Sequence, residues 1–241
     1  MATLTNHYQL EEEGDGSNNI AIANDVIYET ITDTTLGDVT GAAWTGARDT
    51  VGSLGYGIQS TSGYSRINGI YTNNSSGTAF SLNYWMKHDD FDTALYISSG
   101  WRLLADSSSS HIVITDSGNI SVSTSGTDDS VALTDTLPTD TFYMLTITRN
   151  TSNAWKFYVN GALQSATFTR AGSYAVQYIC SGRDSTANPI GTYADYRFYL
   201  GELSQSEIDA LYALGSSGTG HFRSPGRAVG SAAGRSPTYI Q

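Results

Sequence analysis

The segment Trp155-Lys-Phe-Tyr-Val-Asn160-Gly161-Ala-Leu-Gln-Ser-Ala-Thr-Phe168 decides the fold class. Two β-favouring runs flank Asn-Gly, the strongest short-range hairpin signal, because both turn residues must accept positive φ. Working outward, Phe142-Tyr-Met-Leu-Thr-Ile-Thr-Arg149 puts Tyr143, Leu145 and Ile147 on one face, and its Thr-Ile-Thr stretch favours strand over helix. Phe80, Leu82, Tyr84 and Met86 alternate in the same way with Ser81, Asn83, Trp85 and Lys87. Residues 111–115 and 120–124, joined by Asp-Ser-Gly-Asn, predict a second hairpin. Residues 94–98, 101–105, 174–181 and 195–200 read as further strands. So many short strands separated by turn residues predict an all-β sandwich or barrel, with no fixed-period repeat of the solenoid kind.

One helix is predicted, within Leu203-Ser-Gln-Ser-Glu-Ile-Asp-Ala-Leu-Tyr-Ala-Leu-Gly215. Ser204 as N-cap and Glu207 three residues later form a capping box, and Leu203 and Ile208 suit a hydrophobic staple across it. Ile208, Leu211 and Tyr212 make one apolar stripe that can dock on a sheet. Gly215 suits the C′ position, where a left-handed residue ends the helix.

Composition narrows the classes. A chain of 241 residues, 39% hydrophobic and with 16 Tyr, 7 Phe and 4 Trp, can build a real core, so wholesale disorder is excluded. Cys180 is the single cysteine, which excludes an internal disulfide or a Cys-rich zinc site. A net charge of -11 argues against nucleic acid as a partner. No run of about 18 apolar residues predicts membrane insertion. The first residues lack a basic n-region and an apolar h-region, which reads as a chain starting in the cytoplasm or an excised mature one. Asn-x-Ser/Thr triplets at Asn73, Asn74, Asn119 and Asn150 are expected by chance in a chain so rich in Asn, Ser and Thr.

The charge is unevenly spread. All 23 acids and nine of the 12 basic groups lie in residues 1–215, so that body carries -14, while Arg223, Arg227 and Arg235 give residues 216–241 a charge of +3. The Gly/Ser/Pro-rich tail cannot bury enough apolar surface to fold alone. We therefore expect a folded body, residues 1–215, and an extended tail, residues 216–241. The three arginines can dock on the acidic face of a neighbouring copy or on a shell protein.

Several blocks resemble the laminin G-like, concanavalin A-like jelly-roll family. Tyr8-Gln-Leu10 with the Asp/Gly/Asn stretch after it resembles the family's opening. Phe80-Ser-Leu-Asn-Tyr-Trp-Met-Lys87 resembles its "FSlsfWvk" strand and Phe142–Arg149 its "WyhvaiTr" strand, with Phe142 where Trp is usual. Trp155–Gly161 is similar to the "lYvNG" hairpin, and residues 194–212 to the closing "dvriYnraLsaaEiaaLY" strand and helix. The blocks keep family order across residues 8–215, although residues 20–75 carry no diagnostic motif. The resemblance implies two packed antiparallel sheets with jelly-roll topology. It implies no single activity, because the fold hosts lectins, hydrolases, adhesins and virion proteins.

Catalysis finds no support in the residues. Retaining hydrolases of this architecture carry Glu-x-Asp-x-x-Glu, which sets two carboxylates about 5–5.5 Å apart. None of the six Glu lies in that pattern, and Glu13-x-Asp15 is followed by Asn18 where the second Glu belongs. There is no Gly-x-Ser-x-Gly elbow, Cys180 sits in an apolar strand context, and the four His are scattered. We expect no enzyme.

Two binding chemistries have candidates. The resemblance implies a structural Ca²⁺ between the N-terminal segment and the last strand, with Glu13, Asp15 and Asp195 as ligands. Asp89, Asp90 and Asp92 offer a second carboxylate cluster for a hard cation. Tyr56, Tyr64 and Tyr71, in a Gly/Ser/Asn-rich stretch, and Trp101, after Ser-Ser-Gly, are candidate sugar-stacking rings, whereas Trp85 and Trp155 belong to strands and read as core. The resulting expectation is a non-enzymatic interaction protein. We read it as a virion surface component, such as a phage capsid decoration or fibre-associated protein, contacting other subunits through its tail. The alternative is a carbohydrate-binding module of a secreted or surface protein.

Overall fold

The computed structural model describes residues 2–8, 39–41, 44–45, 58–60, 65–88, 111–114, 119–124, 127–132, 137, 141–179 and 191–216. In chain order the strands are β1 (Thr3–Tyr8), β2 (Val39–Gly41), β3 (Trp44–Thr45), β4 (Ile58–Ser60), β5 (Ser65–Asn74), β6 (Phe80–His88) and β7 (His111–Ile114). They continue with β8 (Asn119–Thr124), β9 (Thr127–Ala132), β10 (Tyr143–Arg149), β11 (Ala154–Val159), β12 (Ala162–Thr169), β13 (Tyr174–Ile179) and β14 (Gly191–Leu200), and the helix α1 spans Gln205–Ser216. The largest sheet runs β12-β11-β10-β6-β14-β4-β3, with β1 on β14, and two three-stranded sheets run β13-β5-β2 and β7-β8-β9. Every described pairing is antiparallel. The predicted strands at residues 94–98 and 101–105, and Cys180, lie outside the described residues, whereas β1 to β5 and β9 were not foreseen.

The alternation read in the sequence sorts the central sheet into two buried faces. Phe80, Leu82, Tyr84 and Met86 share the inner face with Tyr143, Leu145 and Ile147, and all are buried. Register carries this face across to Trp155 and Phe157 on β11 and Phe198 on β14. There Phe80 meets Trp155 edge-on at 5.4 Å and stacks on Phe198 at 6.0 Å. Tyr174 of β13 closes the layer from the facing sheet, 5.6 Å from Phe80. Large rings in such offset and edge-on arrangements are among the bulkiest fully buried groups here.

The same layer contains a cation. Arg149 is fully buried at the end of β10, beneath the Phe80 ring (4.6 Å) and beside Trp155 (5.5 Å). Its guanidinium donates to four backbone carbonyls: Nε to Thr78 (3.0 Å), one terminal nitrogen to Gly172 (3.0 Å), and the other to Asn74 (3.3 Å) and Ser75 (2.8 Å). Burial lowers its pKa to about 10, opposed by Tyr174, so it remains charged at neutral pH. The planar fork ties the β5–β6 and β12–β13 turns to the sheet, which a compact ammonium could not do. Asn153 (φ 60) adds a second tie, its Oδ1 accepting from Gly77 N–H at 2.7 Å.

The outer face is covered by α1. Trp85, Met144, Tyr158, Tyr199, Leu203 and Ile208 form a second apolar cluster, with Leu211 and Tyr212 packed against it as the helical stripe predicts. The capping box is formed: Glu207 Oε2 accepts from Ser204 N–H at 2.8 Å, and Glu207 N–H points back at Ser204 Oγ at 3.4 Å. Gly215 corrects the sequence reading. It is buried inside α1, which runs on to Ser216, and it is not a left-handed cap. A methyl group on it would lie 2.7 Å from Trp85 Nε1 and closer still to ring carbons Cζ2 and Cε2, so the residue is glycine to admit the indole.

Candidate functional site

The outer corner where α1 meets the β11–β12 turn gathers several polar side chains around an aromatic stack. Asn160 (φ 50) and Gly161 (φ 83) make the predicted two-residue turn, and Asn160 Oδ1 accepts from Met144 N–H at 2.9 Å. Gly161 brings the turn against the helix, since a side chain there would touch Asp209 and Tyr212 at 3.6 Å. Gln205 Nε2 bridges Gly161 C=O (2.8 Å) and Asp209 Oδ1 (2.7 Å). Tyr212 lies parallel to Trp85, with centroids 5.8 Å apart and planes 9° from parallel.

On the other flank of the helix start, Lys156 Nζ meets Glu202 Oε1 at 2.8 Å, and the two side chains keep 37% and 28% of their surface exposed. The hydrogen bond to Glu202 raises the Lys156 pKa, while burial raises that of Tyr158 beside them. Deeper in this face, Asn83 Nδ2 donates to Thr146 at 2.8 Å, and Ser81 Oγ joins Gly201 C=O to Leu203 N–H.

Asp195 is the one proposed calcium ligand among the described residues. It sits at φ 52 in a bulge of β14, where the partner strand on that side changes from β4 to β1. Its Oδ1 accepts from Arg197 Nε at 3.1 Å, and both side chains are buried. Among the described residues no three His, Cys, Asp or Glu gather in a way that could hold a metal ion. Glu13, Asp15, Asp89, Asp90 and Asp92 lie outside the described residues, as do Tyr56, Tyr64, Trp101, Arg223, Arg227 and Arg235. Tyr71 falls on β5. Asn160, Gln205, Asp209 and Tyr212 were read only as turn and helix residues. Gln205 and Asp209 stand one helical turn apart, a signal that gains meaning only once the helix is known to dock beside the Asn-Gly turn.

A two-faced antiparallel sheet closed by one capped helix is the architecture of a jelly-roll domain. The chain belongs to the concanavalin A-like lectin/glucanase superfamily, whose laminin G family model matches residues 59–209, more than half of its length. A comparison with curated protein sequences returns no significant match.

Among solved structures, domain 4 of AbnA, an extracellular arabinanase of Geobacillus stearothermophilus determined with arabinotriose, matches with a TM-score of 0.61 and 19% identity, over 88% of this chain and 98% of that domain. The binding domain of Paraclostridial Mosquitocidal Protein 1 matches with a TM-score of 0.62 and 16% identity, over 87% of this chain and 52% of that one. Trypanosoma rangeli sialidase matches at 0.55 and 11%, over 87% of this chain and 32% of the enzyme. The chain thus spans about half of the toxin domain and a third of the sialidase. Among the described residues no helix is long and apolar enough to cross a membrane.

Proposed function

We propose that this chain is a non-catalytic recognition module whose ligand is a glycan. The observation that carries the reading is its similarity, over nearly the whole of that domain, to a separate domain of an arabinanase determined with an oligosaccharide. The carboxylates of β14 and α1 point the same way. Asp195 is tied to Arg197, Glu207 to the helix cap and Asp209 to Gln205, and Glu202 between the two elements is tied to Lys156, so each of these acids has a structural partner. Screening the purified full chain on a glycan array, with titration of each positive, tests this. Saturable binding without cleavage is the expected result, and an array blank at every position overturns the reading.

The split between a body of -14 and a tail of +3 favours a second reading, in which the module is displayed on a virion surface and docked there by its arginine-bearing tail. Deleting residues 217–241 should then abolish incorporation into particles while the sandwich stays folded. Normal incorporation of the truncated chain would refute it.

A further inference from the structure

We propose that the corner between α1 and the β11–β12 turn is a subsite for a neutral sugar ring, an assignment that rests on the glycan-recognition reading. What distinguishes this corner is fixed side chains with unused hydrogen-bonding atoms. Both partners of Gln205 Nε2 are acceptors, so the amide orientation is determined, and Oε1 carries no bond among the described residues. The partner of Asn160 Oδ1 is an N–H, so that amide is determined too, and both protons of Nδ2 remain unused among the described residues. Asp209 engages Oδ1 alone and keeps Oδ2. Gln205 and Asp209 are exposed and Asn160 is half-buried, so solvent reaches all three.

Tyr212 supplies the apolar part. Its ring is held by the parallel stack on Trp85, it is half-buried, and its hydroxyl has no hydrogen-bond partner among the described residues. A sugar ring presents an apolar C–H face and adjacent hydroxyls, each of which both donates and accepts. The acceptor Asp209 Oδ2, the donor Asn160 Nδ2 and the acceptor Gln205 Oε1, arranged beside a fixed tyrosine, offer the complementary set. Because intramolecular bonds already orient these groups, little side-chain entropy is lost on binding.

Charge selects the ligand class. The helix carries Glu207 and Asp209 and no Lys or Arg, on a chain of net charge -11, so sialylated or uronic acid glycans are repelled and neutral rings are not.

Calorimetric titration of the full chain with arabinotriose, a panel of neutral xylo-, gluco- and galacto-oligosaccharides, and a sialylated trisaccharide tests the assignment. Asp209→Asn and Asn160→Asp are near-isosteric and keep the bonds to Gln205 and Met144. Each should weaken binding of a neutral ligand about tenfold with the melting temperature unchanged. Should a variant fail to fold, proton–nitrogen spectra of the wild-type chain provide the second readout, and the Asn160 and Gln205 side-chain amides should shift on titration. Neutral-sugar binding that neither variant weakens and that leaves those amides unmoved puts the ligand elsewhere and overturns this subsite alone. Preference for the sialylated glycan overturns the neutral assignment. A wild-type chain that binds no sugar overturns both the subsite and the reading beneath it.

Discussion

Gly215→Ala sets two opposite effects against each other. Inside a helix, replacing glycine by alanine favours the folded state by about 1 kcal/mol, since glycine has more backbone entropy to lose. At this position the added methyl group would lie 2.7 Å from Trp85 Nε1 and nearer still to two ring carbons, against the roughly 3.5–4 Å of ordinary contact. The indole has little room to give way. It is 5% exposed, stacked on Tyr212 and packed among Met144, Tyr158 and Ile208. Overpacking costs about 1–3 kcal/mol, and an overlap this deep with a confined ring falls at about 2–3 kcal/mol, so after the gain of about 1 kcal/mol the net effect is destabilisation by about 1–2 kcal/mol. For a chain of this size that lowers the melting temperature by about 2–8 °C. Urea titration by circular dichroism, with a thermal melt in parallel, measures it. A variant as stable as the wild type, or more stable, would refute the packing of Gly215 on Trp85 and leave propensity in control.

Three further outcomes follow from the polar groups of the core and of the helix cap. Arg149→Lys should cost about 2–4 kcal/mol in urea unfolding, because three donors on a point charge cannot cover four carbonyls that a planar fork reaches; a loss under about 1 kcal/mol would remove Arg149 from that role. Tyr174→Phe should be neutral or stabilising by up to about 1 kcal/mol, since burial raises the pKa of this hydroxyl and no hydrogen bond from the described residues compensates it; a clear loss of stability would expose a missing partner. Glu207 has its pKa lowered, chiefly by the Ser204 backbone N–H and then by the Ser204 hydroxyl. A lowered carboxylate pKa stabilises the fold above the unfolded value, near 4.3, and the benefit is lost as pH falls through the folded value. Glu207→Gln should therefore flatten the acid limb of the stability–pH curve, while Ser204→Ala costs about 1 kcal/mol at neutral pH; an unchanged acid limb would contradict the capping box.

Much of the architecture was legible because it depends on local rules. Alternation over Phe80–Met86 and Tyr143–Ile147 sets which side chains share the inner face, Asn160-Gly161 sets the turn by its φ demand, and Ser204 with Glu207 sets the helix start. What was missed depends on partners remote in the sequence. Arg149 reaches carbonyls 71 to 75 residues earlier in the chain as well as Gly172, and no pattern around Arg149 announces them. Gly215 reads as a helix end by composition, and only the docked Trp85, 130 positions away in the sequence, reveals a packing role. The corner subsite was hidden for the same reason, since the Asn160-Gly161 turn is brought against Gln205 and Asp209 only by the docking of α1. Asp195 was read from the resemblance as a calcium ligand, and its buried bond to Arg197 is a structural partner that no pattern around it announces.

The most direct test of a non-catalytic glycan module follows binding and turnover in one sample. Saturation-transfer NMR of the full chain with arabinotriose and the other neutral oligosaccharides reports protein contact through the sugar protons and hydrolysis through new anomeric signals. The account predicts saturation transfer to at least one neutral sugar, with its anomeric region unchanged after a day of incubation. Absence of transfer to every sugar, or the growth of new reducing-end resonances, would contradict it.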